Sequence, residues 1–184
     1  MVMRRLTNLE HLLLGLLHQK PASGYALRKN FTTTPLGHYS DSPGSIYPAL
    51  NRLRRRHLLQ PLKGQPANGR GTLVFTLTPQ GLAELRAWLQ RPVTLDEVRS
   101  DADGLALRFV FVAQVFGRNA ARRFVVQLEA CTRDVVRDLE TYLSGPGQAH
   151  PLAARLAIEQ GLEGYRAQAR WAARAGRELE RSSS

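Results

Sequence analysis

Between residues 59 and 77 the spacing of apolar residues changes character. Elsewhere they recur every three or four positions; here Leu73, Phe75 and Leu77 alternate with Val74 and Thr76, and Leu59 to Lys63 forms a second short extended run. Gly64-Gln65-Pro66-Ala67-Asn68-Gly69-Arg70-Gly71 separates the two, with three glycines and a proline. That is a hairpin with a long basic tip. A lone hairpin is marginal in water and has to lie on helices. The chain is therefore expected to be mainly α, with a small two-stranded β-wing.

The helices before the hairpin are short and well punctuated. Thr7 with Glu10 three residues later is a capping box, and Leu9, Leu12, Leu13, Leu16 and Leu17 follow at helical spacing, predicting a helix over 8–18. Lys20-Pro21-Ala22-Ser23-Gly24 is a turn. Ser23 caps a second helix over 23–31, with Tyr25, Leu27 and Phe31 available for the core. Ser42 caps a third, with Pro43 at its first position and Ile46, Leu50 and Leu53 as its buried stripe. Pro48 removes one hydrogen bond and should bend or tighten the first turn. His57-Leu58-Leu59 ends it. Thr78-Pro79 starts a fourth helix through Gln90, with Leu82, Leu85 and Leu89 inward and Trp88 beside them.

Residues 91–103 contain Pro92 and four acids and read as a connector. Three helices follow, over 104–116, 119–143 and 149–180. The middle one has the stripe Phe124, Leu128, Cys131, Val135, Leu139 and Tyr142; the last turns Leu152, Leu156, Leu162, Tyr165, Ala169 and Ala172 inward. Gly161 and Gly164 each cost about 1 kcal/mol inside a helix, which suggests a close helix contact or a bend. The expected organisation is 1–90, a 91–103 connector, and a helical region over 104–181.

Charge separates these parts. The 184 residues carry 26 Lys+Arg against 15 Asp+Glu, for a net charge of +11. Residues 1–92 hold 13 bases and only Glu10, Asp41 and Glu84 as acids, so nearly all the excess lies there. A polyanion partner is expected. No stretch reaches 18 apolar residues, and the basic-then-apolar start is interrupted by Asn8, Glu10 and His11, so a cytoplasmic protein with no membrane partner is expected.

The order helix, helix, helix, ribbon, helix is that of a winged helix-turn-helix, in which the third helix enters the DNA major groove. Besides its apolar stripe, this helix carries Ser45, Tyr47, Pro48, Asn51, Arg52 and Arg55. Arg can fork to guanine and Asn can bridge adenine. Arg52 faces away from the stripe, so it is a candidate for a base edge. Ser42 and Ser45 lie near the helix N-terminus, where free N–H groups suit phosphate. Lys63 and Arg70 place charge on the wing, and Tyr25 is either core or a phosphate contact.

Three segments carry a family resemblance. LLGLLHQKPASGYAL at 13–27, SPGSIYPALNRLRRRHLL at 42–59 and GRGTLVFTLTPQGLAELRAWL at 69–89 resemble the PadR-type transcriptional regulators in their opening, recognition-helix and wing-exit motifs. The final helices resemble the longer C-terminal region of one subfamily. Where that family usually has Gly to close the recognition helix, His57 stands here. The resemblance implies a repressing homodimer on double-stranded operator DNA, joined through C-terminal helices and relieved by a small effector. The candidate dimer contacts are Leu152, Leu156, Leu162, Tyr165 and Trp171. For a small aromatic or hydrophobic effector they are Phe109, Phe116 and Trp171.

Other function classes find less support. The five histidines show no metal-binding spacing, and one cysteine makes neither a disulfide framework nor a Cys-based zinc cluster, so no metal, cofactor or enzymatic activity is expected. Cys131 reads as a small hydrophobe on its helix and Trp88 as core. The alternative is a nonspecific nucleic-acid-binding or architectural protein, which needs the charge but no base-reading side chains.

Overall fold

The computed structural model describes residues 4–33, 43–62 and 73–181. It divides into two units, Met1–Gln90 and Arg91–Ser184.

In the first unit, α1 (Asn8–Gln19) is closed by the capping box: the Thr7 hydroxyl accepts from the Glu10 N–H, and the Glu10 carboxylate accepts from the Thr7 N–H. Helix α1 is buried on nearly every side from Glu10 to Gly15 and packs against α3 (Ile46–Arg55) and α4 (Pro79–Leu89). Leu12, Leu13, Leu14, Ile46, Ala49, Leu53 and Leu85 are inaccessible to solvent, and Trp88 is buried with them. Trp88 stacks on the imidazole of His11, with ring centroids 4.2 Å apart and planes 9° from parallel.

A 3₁₀ turn at Pro43–Ser45 leads into α3, so Pro48 falls in the first α-helical turn, where its missing N–H has no partner to lose. The expected tightening is present in that 3₁₀ turn. Helix α3 ends at Arg56 with His57 in the left-handed region at φ 57°. The His57 N–H reaches the Arg54 carbonyl and the Leu58 N–H the Leu53 carbonyl, the pattern that usually puts glycine at this site.

Among the described residues the sheet has three strands rather than two. Beside β2 (Leu59–Pro61) and β3 (Val74–Leu77), the pair Ala22–Ser23 forms β1 and bonds to β3, giving the order β1-β3-β2, all antiparallel. Two residues between Pro21 and α2 (Gly24–Thr33) are too few for an alternating pattern to show. Tyr25 is also corrected as a core residue: it is 66% exposed, while Leu27 and Phe31 are buried.

In the second unit Leu95–Ser100, within the expected connector, is a short helix, α5, with its own capping box from Thr94 and Glu97. Helix α6 (Ala102–Phe116) turns at Gly117, φ 78°, into α7 (Arg118–Ser144). Helix α8 (Leu152–Arg181) runs back antiparallel along α7, as Arg122–Glu180, Thr132–Gln168 and Glu140–Arg166 pairs mark. Arg108 is buried in this unit, its guanidinium 5.0 Å from the centre of the Phe124 ring and bonded to Glu97 at 3.0 Å.

Candidate nucleic-acid interface

Helix α3 divides cleanly by face. Ile46, Ala49, Leu50 and Leu53 point into the core. Tyr47, Pro48, Asn51, Arg54 and Arg55 are exposed. Tyr47, Asn51 and Arg55 succeed one another at four-residue steps and so share a face. Ser45 is half-buried, has helical backbone angles and does not cap the helix. Ser42, Lys63 and Arg70 lie outside the described residues.

Gly24 fixes how α2 meets this helix. A Cβ built on it would lie 2.7 Å from Cε1 of Tyr47. Only the absence of a side chain lets the start of α2 close on the Tyr47 ring, with exposed Tyr25 next in the chain.

Arg52 lies at the flank of the exposed face. Its Nε donates to the Glu10 Oε1 at 2.7 Å, and its side chain is 42% exposed while that of Glu10 is fully buried. Arg4 Nη2 reaches both oxygens of the same carboxylate, at 2.8 and 2.9 Å. Arg56 then donates to the Arg4 carbonyl at 3.1 Å. Burial alone would push the Glu10 carboxyl up. The Arg52 hydrogen bond, the Thr7 N–H and the charges of Arg4 and Arg52 outweigh it and hold the group below the usual carboxylate range. Arg52 is thus a structural partner of α1, a role absent from the sequence reading. The capping box gave the position of Glu10; nothing in the sequence linked it to a residue 42 positions away.

The electrostatic consequence is local and strong. Across residues 4–33 and 43–62 Glu10 is the one acid, and it is buried and fully engaged. Arg5, Arg54 and Arg55 are exposed on the same unit. No exposed carboxylate among these described residues opposes an approaching phosphate backbone.

On the second unit Leu162 is buried and Tyr165 half-buried, whereas Leu152 and Leu156, expected inward, are 63% and 53% exposed. Trp171 meets Phe109 edge-on, with ring centroids 5.5 Å apart. Phe116 is half-buried and takes no part in that pair. The structure therefore brings together two of the three candidate effector residues. Cys131 is half-buried with its thiol 3.4 Å from the Val93 carbonyl; burial, then Asp134 and Glu97, push it up and away from thiolate. Among the described residues no group of three His, Cys, Asp or Glu could hold a metal ion, and no helix is long and apolar enough to cross a membrane.

Residues 13–87 match the transcriptional regulator PadR-like family. Similar solved structures include a PadR-like transcriptional regulator of Bacillus cereus (22% identity, 95% of this chain and 99% of that one, TM-score 0.41). Bacillus subtilis PadR in complex with operator DNA is 21% identical over 93% of this chain and 98% of that one, with TM-score 0.41. The Vibrio cholerae virulence activator AphA is 20% identical over 95% and 99%, with TM-score 0.40. No curated protein matches the chain.

Proposed function

We propose that the protein, whose residues 13–87 match the transcriptional regulator PadR-like family, binds operator DNA sequence-specifically through the exposed face of α3. The observation that carries this reading is the stripe Tyr47, Asn51 and Arg55, with Pro48 beside it, opposite a fully buried apolar stripe, on a unit whose one described acid up to residue 62 is internal. The Asn51 amide can donate to and accept from a base edge, the Arg55 guanidinium can donate to one, and Arg54 and Arg5 suit phosphates. Tyr25 and Ser45 are assigned to the same proposed surface, and Ser42, Lys63 and Arg70 are proposed as further DNA contacts from the sequence alone.

The protein acts as a homodimer, a repressor relieved by a small aromatic or hydrophobic effector, in the cytoplasm. Exposed Leu152 and Leu156, one turn apart on α8, support a dimer contact there, with Leu162, Tyr165 and Trp171 further along the helix. The aromatic pair Phe109–Trp171 supports an effector site in the helical unit.

Incubating the full chain with a pool of random-sequence duplexes and sequencing what it retains tests the reading. The expected result is a near-palindrome with half-site centres about 34 Å, or a multiple of it, apart. Retention without enrichment supports the nonspecific alternative, in which the Arg54-Arg55-Arg56 run binds backbone alone.

A further inference from the structure

Arg52 has three nitrogens, and the structure commits only one of them. Its Nε is held at 2.7 Å by the Glu10 carboxylate. Its two terminal nitrogens have no partner among the described residues, and the side chain is 42% exposed. A guanidinium gripped along its Nε side keeps the paired Nη edge for a second, bidentate acceptor, the geometry with which arginine meets a phosphate or a guanine. The grip is rigid. Glu10 is fully buried, is itself fixed by the Thr7 N–H, and is shared with Arg4, whose carbonyl in turn receives Arg56.

Resting on the DNA-binding reading above, we propose that Glu10 is a positioning residue for DNA recognition: it pre-orders Arg52 so that the free Nη edge contacts the duplex. An arginine that samples many rotamers loses that freedom on binding, at about 0.5–1.5 kcal/mol per side chain. Here most of that freedom is already lost in the free protein. Neighbouring Arg54 and Arg55 carry no such anchor among the described residues, so ordering sets Arg52 apart from the rest of the basic run.

The test measures affinity for the duplex that the intact protein itself selects, with scrambled duplex as control. Glu10→Gln, confirmed folded by circular dichroism, should lose about two- to tenfold on the selected duplex, the equivalent of re-ordering one side chain. Arg52→Ala should lose about five- to 150-fold. In the Arg52→Ala background, adding Glu10→Gln should cost nothing more on DNA. A purely structural Glu10 would leave the affinity of the folded single variant unchanged, and that overturns the inference; so does a Glu10→Gln loss that persists undiminished without Arg52. A second readout needs no variant: the Arg52 Nε–H resonance of the free protein should be ordered and slow to exchange, unlike those of Arg54 and Arg55, and equal mobility of all three overturns the proposal. Failure of the wild-type chain to enrich any duplex would instead sink the DNA-binding reading itself.

Discussion

The carbonyl oxygen of Leu58 occupies the place a side chain on Gly81 would need: a Cβ built there would sit 2.0 Å from it. The two residues are joined through one cap. The Thr78 hydroxyl donates to the His57 carbonyl and accepts from the Gly81 N–H, so the first turn of α4 lies on the chain reversal that ends α3. The neighbour is backbone and cannot rotate away. Gly81→Ala should therefore cost about 3 kcal/mol, the upper end of overpacking penalties, read as a lowered urea midpoint.

Glu10 makes the first unit acid-sensitive in a defined direction. Its folded pKa lies below its unfolded value, so its contribution is fully present above about pH 4.3, the unfolded range, and fades as pH falls through the lower folded value. Urea midpoints of the wild type and Glu10→Gln should differ by a constant amount above that range and converge below it. A gap that persists unchanged at strongly acid pH contradicts the assignment.

Arg108 is a buried cation ion-paired with Glu97. Burial makes its guanidinium less basic, Glu97 acts against this, and its Nε has no hydrogen-bond partner. Removing Glu97 leaves the charge stranded, whereas replacing Arg108 with an apolar chain of similar volume removes the problem. Glu97→Gln should destabilise by up to about 3 kcal/mol, discounted for the partial exposure of Glu97, and Arg108→Met should be near neutral. Thermal unfolding distinguishes them by the size of the loss, a clear drop in Tm for Glu97→Gln against little change for Arg108→Met.

The proposed dimer contact predicts that Leu152→Asn with Leu156→Asn shifts sedimentation of the intact chain from dimer toward monomer, with the unit Met1–Gln90 unaffected. A variant that remains fully dimeric moves the interface elsewhere on the chain.

These predictions show where the sequence was informative. Local signals are legible: the Thr7–Glu10 box, the 46–50–53 stripe, and Thr78 starting α4 all depend on residues a few positions apart. His57 in the left-handed region was legible too, because it stood where glycine usually closes such a helix. What escaped were relationships between distant residues. Periodicity identified the apolar face carrying Leu152 and Leu156 but not whether this chain covers it. Gly161 and Gly164 suggest a close helix contact or a bend; of the two, the close contact is not there, since a Cβ on either meets nothing within 4 Å. Arg52 read as a free base-reading fork because its tie to Glu10 forms only when α1 packs beside α3.

Sequence reading by the exposed face of α3 has a direct measure. The ratio of dissociation constants for the selected and a scrambled duplex, at one fixed salt concentration, measures it for wild type and Asn51→Ala. The expected wild-type ratio is about 10³ or more, reduced about five- to 150-fold by Asn51→Ala with preference relaxed at one base pair. A wild-type ratio near one, or a ratio untouched by Asn51→Ala, would contradict it.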